Sequence, residues 1–564
     1  MKIKKLLVVL LVAVMSLGLL AACQSTGTDG TTQPKADPTK APTAAPTKAP
    51  TAAPTEAPTE APTDPPAEKK TIKISWIGFN WRMPVLPGPG ADIMNMLQER
   101  FKVELEPIFF PSAEFITQLR LLYTSGDLPD IFRVPGMTEL ATLHKEELIR
   151  EIPLESIKKL APEMWADMKR NAASDPFALT KGIIDGKNWG IPNMNVDATY
   201  REVVVWRDDW LKEVGITKIP ETIAEFEDAL YKIVQADPQG TDTNGLHCSG
   251  LKAIYGAYRD PQFFFVENGK LGNGPTDPLN KEMLTMLAKW YKDGILAKDF
   301  DEQFAAMTEN EPGTYWPLSQ VFHRGKVAMT ALGSSYHWEK PHYEGQENPS
   351  VNYTALKTEN PDATYEFGVP AKGPTGNQGM TVYSATSTLS YMSHKVDQEK
   401  FERILEMMEA MCADEELYTK VLWANKGEDW DLDDHGFVIN LVKDDWPVEK
   451  KPTSRGANFA FVNYNTMKFH KKYLSHRYKI SDKYTADHCI PPMPFASLPS
   501  DGTTRQALDD MWREFYVEVI KGDKSVDEFD AFVQRYNDAG GLDRLAEAQE
   551  AYDAADSLLQ YVPN

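Results

Sequence analysis

Hydrophobic and polar positions divide the chain into three stretches of different character. Lys2, Lys4 and Lys5 precede an apolar run from Leu6 to Leu20 that is interrupted only by Ser16 and Gly18, and Leu20-Ala-Ala-Cys23 follows. A basic start, an apolar stretch and small residues at a cut point predict a secretory signal peptide over residues 1–22. The run is short of the ~20 residues that a spanning helix needs. From residue 23 to about 70 no apolar period exists. Pro recurs every fourth residue from Pro34 to Pro62, mostly followed by Thr. Such a tract buries too little to fold and favours extended polyproline II. At ~3.1 Å per residue, its roughly 45 residues reach at most ~140 Å, which suits a stalk.

Periodic patterning begins at Thr71. Thr71-Ile-Lys-Ile-Ser-Trp76 alternates and predicts a strand that runs into the loop Ile77-Gly-Phe-Asn-Trp-Arg82. Ile93, Met94, Met96 and Leu97 give a helix over about 91–101. A strand over 103–110, a helix over 114–125 stopped by Gly126, and a strand from Leu128 follow. This β-α-β-α-β order predicts a mostly parallel sheet with ligands at the carboxyl ends of its strands. Farther on, Tyr200–Trp206 is strongly β-type. Residues 207–215, 220–235 and 283–293 read as helices, and Met380–Tyr391 is β-rich. The last third is helical over 398–413, 504–521 and 526–552.

Composition narrows the function. The periodic part, 71–564, exceeds what one core supports, so two lobes are expected. The net charge of −22 becomes about −25 once the leader, with three lysines and no acid, is removed. That excludes nucleic acid as the natural partner. Beyond Cys23 the cysteines are Cys248, Cys412 and Cys489. Their odd number and wide spacing form no disulfide framework; buried thiols, with one bridge at most, are expected. No H-E-x-x-H, G-x-S-x-G or phosphate-binding loop occurs; His337 and His342, five apart, do not share a helix face.

Two resemblances add to this. Leu20-Ala-Ala-Cys23 resembles a bacterial lipobox, which implies diacylglyceryl transfer to the Cys23 thiol and a lipid anchor on the extracellular face of the cell membrane. The body resembles the extracellular solute-binding lipoproteins of Gram-positive ABC importers, of the family 1 oligosaccharide-binding branch. The matching segments are Ser125-Gly-Asp-Leu-Pro-Asp-Ile131, Val205-Trp-Arg-Asp-Asp-Trp-Leu-Lys-Glu-Val-Gly-Ile216, Pro220–Phe226, Phe322-His-Arg-Gly-Lys-Val-Ala-Met329, and the C-terminal helix pair ending at Gly541. The resemblance implies an α/β, two-lobed, type II periplasmic-binding-protein-like fold. The first lobe would span about 71–197 and 371–425, and the second about 198–370 and 426–564. It also implies a monomer that closes on an oligosaccharide and delivers it to ABC permease subunits, with no cofactor and no catalytic step. A peptide-binding lipoprotein is the alternative, and an anchored glycan-active enzyme a further one. Family members often carry a calcium loop after the helix that ends here near Gln235. The segment Asp237–Gly245 has Asp242 where that loop needs Gly, and reads as a connector.

Sugars present apolar C–H faces that flat rings hold, with polar side chains at the rims. The expected ligand-binding residues are therefore loop aromatics and their neighbours: Asn80, Trp81, Arg82, Tyr200, Trp316, Tyr336, Trp338 and Trp423. Trp206, Trp210, Trp290 and Trp512 are expected in the core. Asp127 and Asp130 are expected to hold their turn, and Arg207 and Asp209 to pin the helix they open.

Overall fold

The computed structural model describes residues 69–564 except 78–85, 89, 111–113, 136–138, 174, 195–201, 241, 302–318, 347–349, 383, 458, 460–467 and 496–497. The chain divides into Met1–Ala67 and Glu68–Asn564. The signal peptide, Cys23 and nearly all of the tether lie outside the described residues.

The principal strands are β1 (Ile72–Ile77), β2 (Val103–Ile108), β3 (Ile131–Pro135), β4 (Ile191–Met194), β5 (Val204–Arg207), β6 (Met329–Thr330), β7 (Tyr365–Gly368), β8 (Met380–Thr381), β9 (Thr386–Met392), β10 (Trp430–Leu432), β11 (Val438–Asn440) and β12 (Cys489–Ile490). A five-stranded sheet runs β2-β1-β3-β9-β4. In it β1 is parallel to β2 and β3, while β9 is antiparallel to β3 and β4. A three-stranded sheet, β6-β5-β7, is wholly antiparallel. Four of the five strands, β1–β4, thus run in one direction, as the expected mostly parallel sheet requires, and β9 alone opposes them. β9 enters from the other lobe and so runs against the strands it joins.

Local chemistry sets the first elements. Helix Asp92–Phe101 buries Ile93, Met94, Leu97 and Phe101 along one stripe and stops at Lys102 in the left-handed region. Helix Phe115–Ser125 ends at Gly126, φ 72°, whose N–H returns to the Leu122 and Tyr123 carbonyls. Asp130 then ties the next turn to β1. Its carboxylate accepts from Ser75 N–H at 2.9 Å and Ser75 Oγ at 3.1 Å, and pairs with Lys400 Nζ at 2.8 Å. In the second lobe, helix Ile223–Ala236 opens with a reciprocal capping box between Thr222 and Glu225. Arg207, 1% exposed, donates two hydrogen bonds to Asp209.

Two large cores result. One joins Ile74, Leu97, Trp165 and Met194 to Ile404 and Tyr418. The other joins Trp206, Trp210, Phe226 and Trp290 to Trp512 and Phe532, so the four tryptophans expected to be buried are buried. Two segments pack on cores other than those of the lobes expected for them. Ala371 and Met380 belong to the second core, while Ala385 belongs to the first. The return therefore falls between 380 and 385, because 371–372 are held by backbone bonds to Ala253 O and Glu221 O. Ala457, Phe459 and Phe469 belong to the first core although they follow residue 426. Arg455 holds that segment there, bridging Asp92 at 2.8 and 2.9 Å and Asp429 at 3.0 Å. After Leu474 the chain crosses again, and Ile480 and Tyr484 pack on a satellite of the second lobe with Val205 and Tyr365. The helix expected over 526–552 is broken at Gly540, φ 107°, and resumes as Leu542–Leu558. Among the described residues no helix is long and apolar enough to cross a membrane.

Asp130→Ala leaves the Ser75 donors and Lys400 without their acceptor. It should lower stability to urea by about 2–3 kcal/mol, against about 1 kcal/mol for Ser75→Ala.

Candidate inter-lobe site

The space between the lobes is built around chain crossings that press backbone on backbone. Gly256, at the end of helix Cys248–Tyr255, lies so close to Gly379 that a Cβ on it would sit 1.9 Å from the Gly379 carbonyl oxygen. A Cβ on Gly373 would meet Ala257 O at the same distance. β8 then pairs in parallel with β12, so Cys489–Ile490 runs alongside the second crossing. On the first-lobe side Asp175 accepts from Ser384 Oγ at 2.7 Å and Ala385 N–H at 2.9 Å. This fixes the chain as it enters the first core.

Charged groups sit against these crossings. Glu202 enters β5 and holds Lys252 through both carboxylate oxygens, at 2.7 and 2.9 Å. Burial raises the Glu202 carboxyl, with Lys252 opposing the shift. Asp260 accepts from Gln262 N–H at 3.0 Å and Thr381 Oγ1 at 3.4 Å. Burial pushes its carboxyl up to about 6; the Gln262 N–H, Lys252 and Thr381 oppose the rise and Glu202 adds to it. Asp260 lines a cavity of about 420 Å³ together with Phe177 of the first lobe, Tyr258 of the second, Thr381 and Ile490 of the crossings, and Tyr552 of the last helix. That is within the ~300–1,000 Å³ usual for small-molecule sites.

The expected ligand-binding residues divide three ways. Asn80, Trp81, Arg82, Tyr200 and Trp316 lie outside the described residues. Tyr336 and Trp423 are partly exposed. Tyr336 lies on the Ser335–Trp338 turn, its ring 3.8 Å from that of His337. Trp423 packs at 4.9 Å from Trp430 and edge-on to Tyr473 at 5.1 Å, ending helix Glu415–Trp423 in an aromatic cluster. Trp338 is a correction: it is 0% exposed. The Ser335–Trp338 turn folds its ring into the satellite core, edge-on to Phe322 at 5.3 Å and Tyr365 at 5.6 Å. Its indole N–H donates to Leu332 O at 2.7 Å, so no face of the ring is open to a ligand.

The loop expected as a connector after helix Ile223–Ala236 is tied internally, with Asp237 accepting from Thr243 N–H at 3.1 Å. Cys248, Cys412 and Cys489 are free thiols, the first two buried. Burial pushes the Cys248 thiol up to about 12. Asp260 and the glycine contacts were not foreseen from sequence. The signal available was the density of glycines over 373–379 and a lone acid, Glu202, entering an apolar β run.

A carboxyl whose folded value lies above its unfolded value holds its proton more tightly in the native state. Asp260 therefore favours folding below about 4, and that contribution is lost as pH rises through about 6. Asp260→Asn should raise the melting temperature at pH 7.5 and leave it nearly unchanged at pH 4; thermal melts at the two values check this.

Comparison with known proteins places this geometry. The family model for bacterial extracellular solute-binding proteins matches residues 92–395. The chain is similar to Lipoprotein LipO of Bacillus subtilis (strain 168), 22% identical over 496 residues that cover 84% of this chain and 91% of that one. It is also similar to the polygalacturonan/rhamnogalacturonan-binding protein YtcQ of the same organism, 21% identical over 518 residues that cover 86% and 92%. Its fold is similar to that of an HMO binding, ABC-transporter associated solute binding protein from Bifidobacterium longum infantis ATCC 15697. The TM-score is 0.56 at 13% identity, over 86% of this chain and 99% of the other. With more than half of its length matched by the family model, the chain belongs to the bacterial extracellular solute-binding proteins.

Proposed function

We propose that the protein is the lipid-anchored substrate-binding subunit of an ABC importer. In this reading it captures an oligosaccharide between its lobes and hands it to permease subunits at the extracellular face of the membrane. The observation that carries the reading is the pair of separate cores joined by crossing segments in a chain of the solute-binding family. A ligand that touches both lobes stabilises the closed form by the difference between its affinities for the closed and open states. The oligosaccharide class is supported by the names of two similar proteins, one binding polygalacturonan/rhamnogalacturonan and one described as HMO binding. Asn80, Trp81, Arg82, Tyr200 and Trp316 are the proposed contacts, with Tyr336 and Trp423 at the described edge. Trp338 is not among them.

The anchor gives the binder its place. Acyl chains on Cys23 bury on the order of 25 methylenes at ~0.8 kcal/mol each, enough for lasting retention. A stalk then raises the effective concentration of the body at the permease. The protein is read as a carrier of cargo and not as an enzyme.

A thermal-shift screen of pectic, milk-type and other oligosaccharides against peptide pools tests the reading. Stabilisation by glycans alone is expected; stabilisation by peptides alone, or turnover of a glycan by the purified protein, overturns it. Trp81→Ala should weaken glycan binding about tenfold or more in calorimetry if its ring stacks on the sugar, by analogy with the ~1–3 kcal/mol of base stacking on aromatics. Cys23→Ala should keep full affinity and shift the protein from the membrane fraction to the medium.

A further inference from the structure

We propose that Glu339, His342 and His476 form a binding site for a divalent transition metal of the zinc class. The three ligating atoms lie within 4.8 Å of one another. Both imidazoles approach the same carboxylate oxygen by Nε2: His342 lies 2.9 Å and His476 2.7 Å from Glu339 Oε1. Zinc binds imidazole nitrogen at about 2.0–2.1 Å and carboxylate oxygen at about 2.0–2.2 Å, so tetrahedral neighbours stand roughly 3.3–3.5 Å apart. Widening the two distances to Oε1 by roughly half an ångström therefore admits the ion where hydrogens are now shared.

The surroundings hold the ligands in this arrangement. Glu339 is 3% exposed, and its other oxygen accepts from Arg477 Nε at 3.0 Å, which leaves Oε1 turned toward the imidazoles. Phe437, from strand-end residues next to β11, orients both rings: it stacks on His342 at 4.7 Å and 19°, and meets His476 at 4.9 Å and 62°. Such outer contacts fix ring orientation in metal sites. Two imidazoles and one carboxylate leave a fourth position for water, and this donor set favours zinc-like ions over calcium or magnesium.

The position gives the ion a structural task. Glu339 and His342 follow the Ser335–Trp338 turn of the second lobe, whereas His476 opens helix Ser475–Thr485 directly after the Leu474 crossing. An ion there clips the third crossing to the second lobe. It owes nothing to the identity of the transported ligand.

The test uses the untagged full chain, stripped with chelator and titrated with Zn²⁺ in competition with a chromogenic chelator. One equivalent of Zn²⁺ should bind and raise the melting temperature, while Ca²⁺ and Mg²⁺ should not. His342→Ala and His476→Ala should each weaken Zn²⁺ binding tenfold or more. The Co²⁺ protein should show the visible absorption of a four- or five-coordinate ion, lost in both variants. Absence of Zn²⁺ binding overturns the proposal. So does binding that persists in both variants and disappears when Cys248 and Cys489 are blocked. The two His variants leave the Glu339–Arg477 pair in place, so the test does not depend on a Glu339 variant folding.

Discussion

The two-lobed body depends on a steric constraint at the crossings, where peptide groups of one segment lie directly on those of another. Gly256 against Gly379 and Gly373 against Ala257 leave no room for a Cβ. The constraint makes residues 371–380 part of the second lobe although they lead into the first. A side chain at any of these glycines would lift the returning strand from the helix end beneath it. It would also disturb the pairing of β8 with β12. Because the contact is backbone on backbone, it is stiff.

The charges next to this contact follow from it. Glu202 and Asp260 lie half-buried among the crossings and a helix end, and each has partners, Lys252 for one and Gln262 and Thr381 for the other. Ionisable groups with raised values at a hinge are sensitive to how far the surrounding elements separate, since solvent entry removes the cause of the shift. Gly256, Asp260 and Thr381 also line the cavity between the lobes.

Elements with strong local signals were legible in the sequence. The stripe Ile93, Met94, Leu97, Phe101, the stop at Gly126 and the Thr222–Glu225 cap each act within a few residues, so spacing alone locates them. The burial of Trp206, Trp210, Trp290 and Trp512 was legible because each sits on a periodic apolar face. Trp338 was misread because a loop-like Gly-Ser-Ser-Tyr-His-Trp segment gives no hint that its 3₁₀ turn folds inward; the satellite core of Phe322 and Tyr365 decides that. The core membership of Ala371 and Met380 was not legible for a related reason: their backbone partners Ala253 and Cys489 lie more than a hundred residues away. Asp260 and the Glu339, His342, His476 group are likewise products of tertiary contact, the last joining residues 134 positions apart in sequence.

The last helix has a further consequence. Tyr552 touches Phe177, and Leu558 and Val562 pack on the first core, while Ala548 packs with Phe264 and Leu271. The first core thus draws on residues 74–194, 385–469 and the final turn, with the whole second lobe threaded between them. Closing such loops costs conformational entropy before any contact offsets it, and topologies of this kind fold slowly. Neither half of the gene encodes a self-sufficient lobe. The body is one cooperative fold in assembly, however independently its halves move once it is made.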